Sequence, residues 1–253
     1  CASLSEPYEL VDSPNANVTN MTTETPTLSR RADATAARET RRAAVSPRRG
    51  EPWIAPAKVA VFIAAWYPLL RLTFFGVTDR LGADPIRFIT WSTGLWTLVF
   101  LCITLAVTPL RKLTGINALQ RFRRMLGLYA FFYATLHFIT YIWFDKWFDL
   151  AEVVKDIGKR PFITVGFAAF MLLIALAATS PRAAVRKLGR RWQTLHRAVY
   201  IIGVLAILHF WWMKAGKHDL ALPKLYGTIM LALLGWRLLA WMRARWVARR
   251  GTR

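Results

Sequence analysis

Apolar positions along this chain gather in six long runs, at about 59–77, 88–107, 125–144, 162–180, 195–213 and 222–242. Each is long enough to carry a helix across roughly 30 Å of hydrocarbon, which takes about 20 residues at 1.5 Å per residue. Backbone groups in lipid must be satisfied within the segment, so the runs predict helices and not strands. The third is the cleanest, with no charge between Met125 and Phe144, and Pro68 is the only proline at the centre of a run. No internal repeat is evident among them. Residues 1–50 have a different character: rich in Ser, Thr, Ala and Arg, without periodicity, and too poor in apolar surface to offset the entropy of ordering. They predict a disordered basic tail, and they contain no apolar core of a signal peptide. The expected fold is an all-α membrane protein. A six-transmembrane-helix bundle occupies residues 51–246, and a short basic end follows at 247–253.

The 253 residues carry 35 Lys and Arg against 14 Asp and Glu, a formal charge of +21. In a soluble protein such an excess would point to nucleic acid. Here the cations fall between apolar runs, which is a topology signal. Arg111, Lys112, Arg121, Arg123 and Arg124 lie between the second and third runs without any acid. Arg182, Arg186, Lys187, Arg190 and Arg191 do the same between the fourth and fifth. The alternate connections are mixed, as in Asp79, Arg80, Asp84 and Arg87, and again from Asp145 to Arg160. The positive-inside rule therefore predicts both termini in the cytoplasm and the mixed loops in the periplasm or exterior. The two cysteines, Cys1 and Cys102, offer neither a disulfide framework nor a thiolate metal site.

Ionisable side chains inside a membrane are costly and mark functional candidates. Of four histidines, His218 falls in an outer loop and is expected to meet water. His137 lies twelve residues into the third run and His209 fourteen into the fifth, roughly 18 and 21 Å from the inner ends. Both runs travel outward, so the two imidazoles reach similar depth in the outer half. Two neutral imidazoles at one depth suit the axial positions of a haem iron. Phe131, Phe132, Tyr133, Phe138, Phe210 and Trp211 supply an apolar, aromatic setting. The alternative is that each histidine only hydrogen-bonds to a neighbouring helix. His196 stands thirteen residues before His209, at the inner end and on a different face. It is a candidate for a second haem, for another cofactor, or for a wet interface. Arg71 and Arg237 read as snorkelling cations, Gly94, Gly127, Gly166 and Gly203 as packing positions, and Trp211 and Trp212 as interfacial anchors.

Four stretches carry a family resemblance: LGADPIRFITWSTG (81–94), RRMLGLYAFFYATLHFITY (123–141), KRPFITVGF (159–167) and RKLGRRWQTLHRAVYIIGVLAILHFWW (186–212). In order and spacing they resemble MsrQ, the haem-binding membrane subunits of bacterial protein-methionine-sulfoxide reductase systems, within the ferric-reductase-like transmembrane superfamily. The likeness covers about residues 55–245, and the tail at 1–50 departs from it. It implies b haem and FMN as cofactors. It implies electrons taken from the quinone pool or a cytosolic flavin reductase and passed to a periplasmic molybdopterin partner, MsrP, which repairs oxidised envelope proteins. The family's haem-binding histidines fall on His137, His196 and His209.

A haem in the outer half leaves a gap to a cytoplasmic donor, and a flavin at the inner face would fill it. Arg123, Arg124, Arg190 and Arg191 are candidates for its phosphate, and Trp192 or His196 for its ring. The competing reading places those arginines at lipid phosphates. No substrate-transforming constellation or dinucleotide fingerprint appears, so the expected role is that of an electron-transfer subunit. A stand-alone ferric or quinone reductase is the nearest alternative, and with the chain continuing only to Arg253 it would have to borrow its reductant. A proton-coupled transporter would call for intramembrane carboxylates, and the apolar runs contain none.

Overall fold

A computed structural model describes Thr35, residues 52–216 and residues 219–250. The expected disordered tail, Thr35 apart, and His218 lie outside the described residues. Among the described residues there are helices and turns but no strand. Helix α1 is Ile54–Val77, α2 Pro85–Thr114, α3 Arg123–Thr140, α4 Leu150–Lys159 and α5 Pro161–Ala178. Two short helices, α6 (Arg182–Leu188) and α7 (Arg190–His196), lead into α8 (Ala198–Ala215), and α9 is Ala221–Arg250. Six segments are long and apolar enough to cross a membrane: α1, α2, α3 with its extension to Asp145, α5, α7 joined to α8, and α9.

Local chemistry sets the ends. The Asp84 carboxylate accepts from the Arg87 N–H at 3.0 Å and Pro85 opens α2, while Gly115 closes it in the left-handed region at φ 73°. Pro161 opens α5, and the Asp149 carboxylate caps α4 through the Glu152 N–H. Helix α3 widens into a π turn over Tyr141–Asp145, at the end of the bundle that carries the mixed-charge connections, labelled the outer end, the opposite end being the inner.

Helix α2 runs past the expected 88–107 segment and takes Pro109 into its interior. A proline lacks the N–H that would bond four residues back, so the Leu105 carbonyl is left open. Arg237 of α9 fills it, its Nη2 donating to Leu105 O at 2.8 Å while Nη1 donates to the Tyr200 hydroxyl at 2.6 Å. Arg237 therefore does not snorkel. It turns into the bundle, because an open carbonyl among apolar helices costs more than holding a side chain across the gap.

The core lies between α2, α3, α5 and α8, with Leu101, Leu105, Tyr133 and Ile202 all but inaccessible. Helix α1 is held more loosely, by the Tyr133 hydroxyl donating to Ala65 O at 2.7 Å and by Trp66 against Phe132. Many large apolar side chains point away from the core, among them Val59, Ile63, Leu70, Ile201, Val204 and Leu231. This is the outward face expected of a bundle solvated by lipid.

An internal repeat not evident from the runs alone appears in the packing. An offset of 72 residues carries Thr90, Gly94 and His137 onto Phe162, Gly166 and His209, and the same two contacts recur at each copy. Helix pair α2–α3 thus repeats as pair α5–α8. The segments around the histidines, ATLHF at 134–138 and AILHF at 206–210, share the offset.

Candidate functional site

His137 on α3 and His209 on α8 come together with ring centroids 6.2 Å apart and planes at 80°. Each is fixed from behind by the neighbouring helix. His137 Nδ1 lies 2.8 Å from the Thr90 carbonyl, and His209 Nδ1 lies 2.6 Å from the Phe162 carbonyl. A carbonyl only accepts, so the proton of each neutral ring sits on Nδ1 and Nε2 keeps its lone pair. This is the arrangement in which a backbone carbonyl orients a metal-binding imidazole.

Two glycines make the arrangement possible. A Cβ built on Gly94 would stand 3.0 Å from His137 Nδ1 and Cε1, and one on Gly166 would stand 2.6 Å from His209 Nδ1. Only a residue without Cβ lets each ring lie against the helix backbone. Gly94 and Gly166 are therefore part of the site, where sequence reasoning assigned them to packing alone. The signal was present as the 72-residue offset that separates the two glycines and, equally, the two histidines.

Both imidazoles line a cavity of about 750 Å³, bounded on its apolar sides by Phe138, Phe167, Phe170, Leu98 and Leu173. At the outer end of the bundle the lining turns polar, with Arg87, Arg160 and Lys214 beside Asp84 and Asp145. Thr90 Oγ1 and Trp91 Nε1 border the same cavity and are buried without partners. Among the described residues no group of three or more His, Cys, Asp or Glu is placed to hold a metal ion. The pair would therefore suit a metal whose remaining ligands arrive with a prosthetic group.

A porphyrin fits these features. Two metal–nitrogen bonds of about 2 Å each, laid end to end with the two half-rings, span about 6 Å between centroids. The cavity lies within the roughly 300–1,000 Å³ typical of cofactor sites. Its aromatic walls suit the macrocycle, and its cationic, donor-bearing outer rim suits carboxylates.

The other predicted residues lie elsewhere. His196 does not line this cavity. It is half-buried at the end of α7, with Nδ1 3.2 Å from the Trp192 carbonyl and its ring stacked on Trp192 at 4.0 Å. Trp192 in turn donates from Nε1 to Thr179 O at 2.9 Å, tying α7 to the end of α5. Arg124, Arg190 and Arg191 are exposed, whereas Arg123 is half-buried beside Tyr200, whose hydroxyl accepts from Arg237. By the 72-residue offset the position equivalent to His196 on α3 is Arg124, so the inner end repeats the helices without repeating the histidine. Sequence reasoning missed the Arg237–Tyr200 contact, which depends on how α9 packs.

Outside the spans, the connection after α3 is pinned by charge. Lys146 lies 2.9 Å from both Glu152 and Asp156, and the Tyr141 hydroxyl donates to Asp156 at 3.1 Å. The hydrogen bond from Lys146 holds the Asp156 carboxyl below its usual range, and the Glu152 and Asp156 carboxylates raise the Lys146 ammonium.

Six helices long and apolar enough to cross a membrane, four of them packed about a facing histidine pair, define a class of multi-pass membrane protein, and the sequence comparisons agree with it. Residues 89–207 match the family described as Ferric reductase like transmembrane component. The chain is 59% identical to the protein-methionine-sulfoxide reductase heme-binding subunit MsrQ of Bordetella pertussis, over 76% of this chain and 93% of that relative. It is 62% identical to the protein of the same description from Ralstonia nicotianae, over 74% and 88%. For that of Xanthomonas euvesicatoria pv. vesicatoria the identity is 49%, over 78% and 92%. The chain belongs to the MsrQ family and is a multi-pass membrane protein. No solved structure matches it.

Proposed function

We propose that this protein is the haem-binding electron-transfer subunit of a methionine-sulfoxide reductase system, with His137 and His209 as the two axial ligands of one b haem. The observation that carries the reading is the facing imidazole pair, each ring keeping a free Nε2 because its Nδ1 is bound to a backbone carbonyl. Its similarity to heme-binding subunits of methionine-sulfoxide reductase systems supports it. Haem held there would supply one-electron redox chemistry.

The chain's own residues do the rest. The Thr90 and Phe162 carbonyls hold the rings in one tautomer and one orientation, and Gly94 and Gly166 give them room. Phe138, Phe167 and Phe170 give the cavity an apolar, aromatic wall. Arg87, Arg160 and Lys214 at the outer rim are the groups that would hold propionates. Under the positive-inside orientation this rim faces the periplasm. The natural acceptor is then a periplasmic molybdopterin partner, MsrP, that reduces oxidised methionine in envelope proteins. The donor is the quinone pool or a cytosolic flavin reductase, acting at the inner face. FMN bound near Arg123, Arg124, Arg190, Arg191 and Trp192, with His196 at its ring, would bridge the remaining distance. The protein would lie in the bacterial inner membrane with both ends in the cytoplasm.

The test is electron delivery. The chemically reduced protein is mixed anaerobically with a small, catalytic amount of the periplasmic reductase and an excess of a methionine-sulfoxide peptide. Its haem spectrum should return to the oxidised form only when both are present. Reoxidation independent of the peptide, or none at all, would remove the assignment.

A further inference from the structure

All seven Asp and Glu of the described residues lie at the outer end, from Asp79 to Asp219, and none stands among the arginines of the inner end. Yet one inner arginine is turned into the bundle and not toward water. Arg237 donates to Leu105 O and to the Tyr200 hydroxyl, its guanidinium carbon lies 4.9 Å above the Tyr200 ring, and its Nε is buried without a partner. Arg123 approaches the same hydroxyl from α3. Arg111 on α2 likewise has a buried Nε without a partner. The neutral partners of Arg237 satisfy hydrogen bonds but leave its charge uncompensated, and a shielded cation without a counter-charge is costly. The described residues supply no carboxylate there, which leaves the place open to a counter-charge brought by a ligand. Guanidinium groups with a hydroxyl match the oxygens of a phosphate.

We propose that Arg237, Arg123 and the Tyr200 hydroxyl form a binding site for one phosphate group in the inner half of the bundle, separate from the histidine pair. Two sources share that chemistry: the phosphate of a flavin mononucleotide, which rests on the functional reading above, and the headgroup of a phospholipid.

The full chain, purified in detergent and washed extensively, is assayed for phosphorus, flavin, acyl lipid and haem per chain. Arg237→Gln and Tyr200→Phe are compared with Arg243→Gln, a control on the exposed part of α9. Wild type and Arg243→Gln should keep a phosphate-bearing molecule on each chain. Arg237→Gln should hold it about tenfold less well, as loss of a charged hydrogen-bonding partner implies, and Tyr200→Phe severalfold less well. Flavin travelling with the phosphorus identifies the cofactor source, acyl chains identify a lipid, and either result supports the site. Absence of phosphorus from wild type, or equal loss in Arg237→Gln and Arg243→Gln, overturns it. Should Arg237→Gln fail to fold, Tyr200→Phe decides, because it keeps the Arg237–Leu105 contact, and undiminished retention there overturns the site. Haem on the same samples separates the two readings. Phosphorus absent with haem present removes only the phosphate site, and haem absent with phosphorus present removes only the electron-carrier role.

Discussion

The outer and inner halves of this bundle are built from the same repeated helices but carry different chemistry. In the outer half each copy supplies a histidine, a glycine to seat it and a carbonyl to orient it, and the two copies meet across one cavity. In the inner half one copy keeps His196 and the other has Arg124 at the equivalent position. There the polar contacts run from Arg237 to Tyr200 and Leu105 instead of from histidine to carbonyl. Repetition of a helix pair thus produces a facing histidine pair only where all three elements repeat. Where they diverge, the same scaffold gathers cations and a hydroxyl, a setting for an anion.

Several substitutions would break or sharpen that contrast. Short of removing a histidine itself, the largest effect is expected at Gly166. A methyl there would stand 2.6 Å from His209 Nδ1, closer than any real contact, so the ring must leave the Phe162 carbonyl. Overpacking of this kind costs about 1–3 kcal/mol, and Gly166→Ala should lower haem per chain by about tenfold or more. Gly94→Ala, at 3.0 Å, should do the same in weaker form. Equal and full occupancy in both variants would show that the glycines do not seat the rings.

A smaller effect is expected from the inner staple. Arg237→Ala leaves the Leu105 carbonyl open and should destabilise the bundle by about 1–3 kcal/mol, read from reversible detergent unfolding. Restoring the helical N–H with Pro109→Ala in that background should recover part of the loss, since residue 109 can then donate to Leu105. Strict additivity of the two changes would contradict the staple.

The smallest effect concerns the outer connection and its pH dependence. Asp156 has a lowered folded-state pKa, so its contribution is present above the ordinary carboxyl value near ~3.9 and fades as pH falls through the lower folded value. Lys146 is raised, so its contribution is complete below its ordinary value near ~10.4 and fades as pH climbs through the folded one. Amide exchange in α4, taken relative to the intrinsic rate at each pH, should therefore be flat around neutrality and speed up at both extremes. Asp156→Asn should raise the neutral baseline and abolish the acid limb.

Much of this was legible in the sequence. The six apolar runs announced six helices, because length and continuous hydrophobicity alone specify a span. The matched depth of His137 and His209 anticipated that they would meet. The seats behind the rings were not legible from depth, since Gly94 and Gly166 acquire meaning only when α2 packs on α3 and α5 on α8. The repeat that links them was written in ATLHF and AILHF, but apolar residues substitute freely for one another elsewhere and hide the offset. Arg237 was misread for a related reason. A snorkelling argument considers only distance to water, whereas here a proline on another helix created a nearer polar target.

The most direct measurement is haem per chain with the reduced-minus-oxidised visible spectrum, for wild type and for His137→Ala, His209→Ala and His196→Ala. One b-type signal per chain, lost in the first two variants and retained in the third, is the predicted result. A wild type without haem when haem is plentiful, or two haems of which one disappears in His196→Ala, would contradict the single outer site.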